Sequence, residues 1–145
     1  MLKRLVAIVC GILIVLVMVV VTSACAQKTE PKPEPEYAGS ITEQILLAIN
    51  ENDYPKYSEH FDEAMKKAMP EAVFQETNAL IKAKIGDYVS KEFWKAEDTG
   101  AYTIIYYKAK FTDEPGDVIV KVVFQETAGR IYVSGLWFDS PKLRK

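Results

Sequence analysis

Thiol and imidazole side chains are almost missing from this chain. Its 145 residues include two cysteines, Cys10 and Cys25, and a single histidine, His60. Thiolate zinc sites, dithiol redox motifs and histidine-rich metal centres all need more of these side chains at close spacing. A glycine-rich phosphate loop and a serine on a strand-to-helix elbow are also missing. The sequence therefore has no recognisable catalytic motif.

A strong excess of one charge is missing as well. The chain has 18 basic and 20 acidic residues, which gives a net charge of −2. Nucleic-acid binding needs a basic patch, so this balance argues against a nucleic-acid partner. The acidic residues Glu59, Asp62 and Glu63 lack the spacing of a calcium loop and are interpreted as a solvated helix face. No metal or cofactor is expected.

Long apolar runs are confined to one place, residues 5–21. Lys3 and Arg4 precede this run, and Thr22, Ser23, Ala24 and Cys25 follow it. The arrangement resembles the signal peptide of a prokaryotic lipoprotein, which implies cleavage before Cys25 and lipidation of its thiol. An uncleaved membrane helix and simple secretion stay open, because 17 apolar residues are close to the length of a membrane span. The basic start places the remaining chain on the extracytoplasmic side.

Three segments follow from this interpretation. Residues 1–24 are the predicted signal peptide, residues 25–39 a lipidated cysteine and proline-rich tether, and residues 40–145 one folded domain. Prolines at positions 31, 33 and 35 favour an extended tether.

Apolar residues at three- and four-residue steps predict three helices at residues 41–51, 54–68 and 70–85. Ser40 and Glu43 have the spacing of a capping box for the first helix. Gly86 is predicted to end the third helix, whose apolar face includes Val73 and Leu80. The residues expected to face the core are Ile41, Ile45, Ala48, Ile49, Tyr54, Tyr57, Phe61, Met65, Phe74, Asn78, Ile81 and Ile85.

Residues 88–97, 101–111, 117–125 and 131–139 are rich in aromatic and β-branched side chains, which predicts four strands. Turns are expected at residues 99–100, 114–117 and 128–129, and such short connections imply an antiparallel meander. The predicted class is therefore α+β, with three helices packed on a curved four-stranded antiparallel sheet. Strict alternation in the last strand puts Val133, Gly135 and Trp137 on one face.

Helices followed by such a sheet resemble the nuclear transport factor 2-like, or cystatin-like, cone. Five segments are similar to the family catalogued as domain of unknown function 3887, which covers about residues 41–139. The resemblance implies the cone fold with a pocket at its open end, but no established reaction, cofactor or catalytic residue. The similar segments are residues 52–54, 61–67, 84–88, 106–111 and 133–138.

Aromatic residues supply the candidate site, because they are numerous for a domain of this size. Core packing accounts for most of them, and the others are candidates to line an apolar pocket. His60 is interpreted as an exposed or partly buried helix residue and not as a catalytic base. The candidate pocket residues are Trp94, Trp137, Tyr107, Tyr57 and Phe61.

The sequence thus favours a non-catalytic domain held at the membrane through Cys25, on the extracytoplasmic side. It would bind a small apolar ligand or an envelope partner. Two alternatives stay open: an isomerase- or hydratase-like enzyme that uses the cone pocket, and an assembly module that forms a homodimer. Ligand identity, oligomeric state and sorting between inner and outer membranes are not encoded in any motif.

Overall fold

The structure, a computed structural model, describes residues 32–145. The predicted signal peptide, Cys25 and the tether up to residue 31 lie outside the described residues. Within residues 32–145 no helix has the length and apolar character that a membrane crossing requires. These residues contain a complete hydrophobic core of their own.

Four helices precede the sheet in the described part of the chain: α1 (Glu36–Glu51), α2 (Tyr54–Ser58), α3 (Glu63–Ala68) and α4 (Glu71–Ile85). Helix α1 begins at Glu36, five residues before the predicted start. Pro35 is its N-cap residue, and the Ser40 hydroxyl donates instead to the carbonyl of Tyr37 inside the helix. A proline before the first turn needs no N–H partner, so the helix extends back into the proline-rich segment.

The second predicted helix is broken into α2 and α3. Around Phe61 the backbone pairs with the last strand: Val133 N donates to the His60 carbonyl at 2.7 Å, and Asp62 N donates to the Val133 carbonyl at 3.1 Å. Helix α3 then begins after Asp62, whose carboxylate accepts from Met65 N at 2.7 Å. Tyr57, Phe61 and Met65 are nevertheless buried as the periodicity predicts. A long-range backbone contact therefore interrupts a continuous apolar stripe.

The sheet is an antiparallel meander in the order β1-β2-β3-β4. Its strands are β1 (Tyr88–Asp98), β2 (Thr103–Phe111), β3 (Glu114–Thr127) and β4 (Arg130–Asp139). The described chain therefore has the predicted α+β class, with an open four-stranded antiparallel sheet. The β3–β4 turn at residues 128–129 is confirmed, and both of its residues have positive φ, as a two-residue hairpin turn requires.

The turn between β2 and β3 lies earlier than predicted. Phe111 pairs with Glu114, so residues 112–113 form the turn and Pro115 and Gly116 lie at an irregularity inside β3. The backbone nitrogens of Thr112 and Asp113 donate to the carbonyls of Asp87 and Ile85. These bonds join the turn to the end of α4, which is why it forms there.

The core lies between the helices and one face of the sheet, which we call the core face. On β3, Val118, Val120, Val122 and Phe124 are all buried, as predicted. Phe74, Asn78, Ile81 and Ile85 of α4 are also buried. Val73 and Leu80 were expected to join this face but are 38% and 51% exposed. The buried stripe of α4 is thus narrower than its apolar content suggests.

Two β-bulges set which side chains reach the opposite face, which we call the outer face. In β1, Phe93 pairs with Tyr107 and Lys95 with Tyr106, so Trp94 is an extra residue. In β4, Val133 pairs with Phe124 and Gly135 with Val123, so Ser134 is an extra residue there. Each bulge shifts the alternation by one position. Gly135 and Trp137 consequently lie on the outer face, although strict alternation predicted that they share a face with Val133.

Candidate functional site: an aromatic and lysine row on the outer face of the sheet

The five residues predicted to line a pocket do not meet in one cavity. Tyr57, Phe61 and Tyr107 are core residues with 3%, 1% and 0% exposure. Trp94 and Trp137 lie on the outer face and are 46% and 52% exposed. The sheet therefore separates the two tryptophans from the other three residues. The inward direction of Tyr107 and outward direction of Tyr106 follow the strand alternation.

Exposed tryptophans and half-buried tyrosine and lysine side chains form a continuous row across all four strands on the outer face. The rings of Trp94 and Tyr106 meet edge to face, with centroids 6.2 Å apart and planes at 79°. Lys121 on β3 lies between Tyr106 and Trp137, with its ammonium 6.0 Å and 4.8 Å from the two ring centroids. We call this set the aromatic–lysine row, and its members are Trp94, Lys95, Tyr106, Lys108, Lys121 and Trp137.

Two further lysines cover the ring faces at the β1 end of the row. The Lys95 ammonium lies 4.2 Å from the centroid of Tyr106, and that of Lys108 lies 5.3 Å from the centroid of Trp94. Such contacts contribute about 0.5–1 kcal/mol each at exposed sites. The rings therefore hold these lysine side chains close to the sheet.

Charges along the row are only partly neutralised. Glu97 pairs with Lys95 at 2.5 Å, and this hydrogen bond lowers the pKa of the Glu97 carboxyl. Among residues 32–145, Lys108 and Lys121 form no ion pair with a carboxylate. The middle of the outer face thus combines exposed indole rings with two lysines that form no close ion pair, although Glu92 lies opposite Lys108 and Glu97 is near Lys121.

Gly135 creates the space that Trp137 occupies. A Cβ atom added at Gly135 would lie 2.4 Å from the Cη2 and Cζ3 atoms of the Trp137 ring. The six-membered part of the indole therefore lies over Gly135, two residues earlier in the same strand. This contact fixes the ring beside Lys121 and accounts for a glycine in the middle of a strand.

A second polar cluster lies on the core side of β1. Lys91, whose side chain is 14% exposed, pairs with Glu43 at 3.2 Å, and its ammonium lies 5.0 Å from the centroid of the Tyr107 ring. The Tyr88 hydroxyl donates to Glu43 at 2.8 Å, and the Tyr107 hydroxyl donates to Glu34 at 2.7 Å. Burial raises the pKa of both tyrosines. These side chains are paired with one another, so the cluster fastens α1 and the segment before it to the sheet, while the buried Thr42 hydroxyl near Tyr107 has no hydrogen-bond partner among the described residues.

A small cleft opens beside the β1–β2 hairpin. Its volume is about 240 Å³, and Tyr37, Asp98, Tyr102 and Glu126 contribute to its mostly polar wall. Sites for small apolar ligands are larger, at about 300–1,000 Å³, and mainly apolar. The cleft therefore lacks the character that the predicted apolar ligand requires.

His60 and the neighbouring acidic residues do not assemble into a reactive centre. His60 contributes its backbone carbonyl to the pairing with Val133 and is partly buried. Asp62 caps α3 and accepts from the Ser134 hydroxyl at 2.6 Å. Within the described residues, no three His, Cys, Asp or Glu side chains are grouped as a metal site would need.

Sequence reasoning missed most of the aromatic–lysine row, since it selected Trp94 and Trp137 only as pocket residues. Tyr106 and Lys108 are two residues apart in β2 and therefore share a face. This spacing could have predicted the middle of the row. The position of Trp137 was not predictable in this way, because it depends on the bulge at Ser134.

Comparisons with known proteins returned one match, to a family. Neither the curated proteins nor the solved structures gave a match. The model of a family described as protein of unknown function (DUF3887) matches residues 42–128, which is more than half of the chain. The match includes three helices completely, most of α1, and strands β1 to β3, so the chain belongs to the DUF3887 family.

Proposed function

We propose that this protein is a non-catalytic binding domain, lipid-anchored at Cys25 on the extracytoplasmic side of the membrane, that meets a partner through the outer face of its sheet. The aromatic–lysine row is the observation that carries the proposal. Tryptophan and tyrosine are among the residues most enriched at binding hot spots, and here two exposed tryptophans lie in one row with the half-buried Tyr106. The assignment of the fold to the nuclear transport factor 2-like cone belongs to the same proposal.

The anchor rests on the sequence of residues 1–25. A basic start, an apolar run and small residues before Cys25 supply each part of a lipoprotein signal. Two acyl chains on one cysteine anchor a protein stably, since each buried CH₂ contributes about 0.8 kcal/mol. The proline-containing segment before α1 would then connect the anchor to the folded domain.

A non-catalytic role fits the inner side of the domain better than an isomerase or hydratase. Lys91, Glu43 and the Tyr88 and Tyr107 hydroxyls are all paired, and the neighbouring core is filled by apolar side chains. A catalytic pocket would need convergent polar groups around an open space. The outer face, in contrast, leaves large rings and cations available to a partner.

Cysteine labelling on intact cells tests both the location and the binding surface. The natural cysteines are Cys10 and Cys25, so a new thiol gives a specific signal over the parent chain. Leu80→Cys places it on the exposed side of α4, and Glu92→Cys places it on the outer face beside Trp94. A membrane-impermeant maleimide should label Leu80→Cys in intact cells, whereas Glu92→Cys should be shielded until the protein is purified.

Two outcomes would contradict the proposal. Labelling of Leu80→Cys only after cell lysis would place the domain in the cytoplasm. Equal labelling of the two cysteines in intact cells would mean that the outer face is unoccupied. Comparison of both variants in purified protein controls for intrinsic differences in thiol reactivity.

A further inference from the structure

Charge is distributed unequally between the two sides of the domain. Residues 32–87, which form the helical side, carry six lysines and eleven acidic residues. Residues 88–145, which include the sheet, carry nine basic and eight acidic residues. On the outer face Glu97, Asp117 and Asp139 are each ion-paired, and Glu92 lies opposite Lys108 in the β1–β2 pairing. An anionic partner would therefore be repelled by the helical side more strongly than by the outer face.

The chemistry of the row matches the interface of a lipid bilayer. Trp and Tyr rings place an apolar body and a polar tip at the level of the headgroups, which is why they are enriched there. Lysines beside them can reach anionic headgroups while their stems stay on apolar surface. Trp94, Tyr106 and Trp137 with Lys108 and Lys121 provide both components on one face.

A second copy of the chain fits the row less well. Pairing two outer faces would bring the lysines of both copies together in the centre of the contact. Lysine is depleted from interface centres, and like charges facing each other are costly. The unpaired Lys108 and Lys121 therefore disfavour this occupant.

A glycan fits less well for a geometric reason. A sugar ring stacks on an open aromatic face, but Trp94 and Tyr106 meet edge to face at 79°. Lysine ammonium groups also lie within 6.0 Å of the ring centroids of Trp94, Tyr106 and Trp137. Cations beside the rings suit anionic headgroups better than neutral sugar rings.

We propose that the aromatic–lysine row docks the domain onto a bilayer surface containing anionic phospholipid. This inference rests on the proposed function, since it names the partner of the same outer face. The domain would lie on the membrane with its acidic helices turned away. Each unpaired lysine is expected to strengthen binding about fivefold, and raised salt should weaken it.

The experiment uses residues 32–145, which contain their own core and omit the apolar segment. The protein is mixed with vesicles of phosphatidylcholine, alone or with phosphatidylglycerol, and binding is measured by sedimentation. The chain has two tryptophans, Trp94 and Trp137, and both are in the row, so intrinsic fluorescence reports on this surface alone. We expect binding only with phosphatidylglycerol, together with a blue shift and quenching by brominated lipid.

The double variant Lys108→Gln with Lys121→Gln should weaken vesicle binding about 25-fold, the product of the two individual effects. Lys66→Gln with Lys67→Gln removes the same charge from exposed positions on α3 and is the matched control. This control variant should bind the vesicles with an affinity within about twofold of that of the parent protein. Circular dichroism of both variants verifies that the fold is retained.

Three results would overturn the docking proposal: no binding to phosphatidylglycerol vesicles, equal weakening by the two double variants, or bound protein with unchanged tryptophan emission. Sedimentation velocity that detects a dimer without vesicle binding would assign the face to a second copy. Shielding of Glu92→Cys in cells without vesicle binding would leave the proposed function intact and reject only the lipid partner.

Discussion

At the scale of single residues, two glycines are needed for different reasons. Gly86 ends α4 with φ +80° and ψ −150°, a conformation that essentially only glycine adopts without strain. Gly135 makes room for the ring of Trp137. The first glycine is required by backbone conformation and the second by side-chain space, so their substitution should have different consequences.

Gly86→Ala should lower the free energy of unfolding by about 1–3 kcal/mol, because alanine is strained at this φ and ψ. The new Cβ would also lie 2.0 Å from the Thr112 hydroxyl oxygen. Urea denaturation of residues 32–145 measures the change. Gly100→Ala is the control, since Gly100 has φ +82° but no atom within 4 Å of an added Cβ. Equal losses in the two variants would mean that the contact with Thr112 contributes nothing.

Gly135→Ala should change stability by less than about 0.5 kcal/mol but displace the Trp137 ring, which lies on the exposed face and can move. The ring would leave its position 4.8 Å from the Lys121 ammonium. Tryptophan emission and the indole N–H signal in NMR spectra are the measurements. Gly116→Ala is the matched control in β3, where an added Cβ would be 4.0 Å from the nearest atom. An unchanged indole signal in Gly135→Ala would contradict the described ring position.

At the scale of elements, the short helix α3 depends on one side chain. The Asp62 carboxylate accepts from Met65 N at 2.7 Å through one oxygen and from the Ser134 hydroxyl at 2.6 Å through the other. It therefore caps α3 and holds that helix to β4. Removing it affects both contacts.

Asp62→Ala should cost about 1–2 kcal/mol of stability, which combines a lost N-cap with a lost hydrogen bond. Chemical denaturation measures the loss, and Glu63→Ala, at a neighbouring side chain that is 88% exposed, is the control. A loss no larger than that of the control would mean that α3 is held by packing of Met65 alone.

Sequence periodicity predicted the elements whose pattern is local. The apolar spacing of Phe74, Ile81 and Ile85 located α4, and the alternation of Val118, Val120 and Val122 identified the buried face of β3. Gly86 and residues 128–129 were correctly predicted as an end and a turn. In these places the local preference and the tertiary structure agree.

The differences arise where a distant segment decides the local structure. Phe61 continues the helical stripe in sequence, but backbone pairing with Val133 interrupts the helix. The turn at residues 112–113 is set by hydrogen bonds to the end of α4, and not by Pro115 and Gly116. The side of the sheet on which Trp137 lies depends on the bulge at Ser134, and the alternation of apolar and polar residues in β4 does not reveal this bulge. None of these contacts is visible in a window of the sequence.

At the scale of the whole molecule, three buried tyrosines make the stability of the folded domain depend on pH. Burial raises the pKa of Tyr57, Tyr88 and Tyr107 above the ordinary value of 10.0. Above this value the unfolded chain releases these protons while the folded domain retains them. Their contribution to stability is therefore complete below about pH 10 and decreases as pH rises further.

We expect the unfolding midpoint in urea to decrease above about pH 10, with tyrosinate absorbance appearing together with unfolding. Tyr107→Phe should make this decrease less steep, because one of the three linked protons is removed. Tyr102→Phe, at an exposed ring, is the control and should leave the slope unchanged. Tyrosinate absorbance that rises fully before the fold is lost would contradict the burial of these hydroxyls.

The same bulges that arrange the outer face also disfavour self-association through the edges of the sheet. An open sheet ends in two edge strands, whose free backbone groups can template the addition of another strand. Register shifts interrupt β1 at two places, and β4 has its own bulge and pairs with residues 60–62. Neither edge offers a long, regular row of hydrogen-bonding groups. Copies crowded side by side should consequently stay separate molecules and not polymerise into fibrils through their sheets.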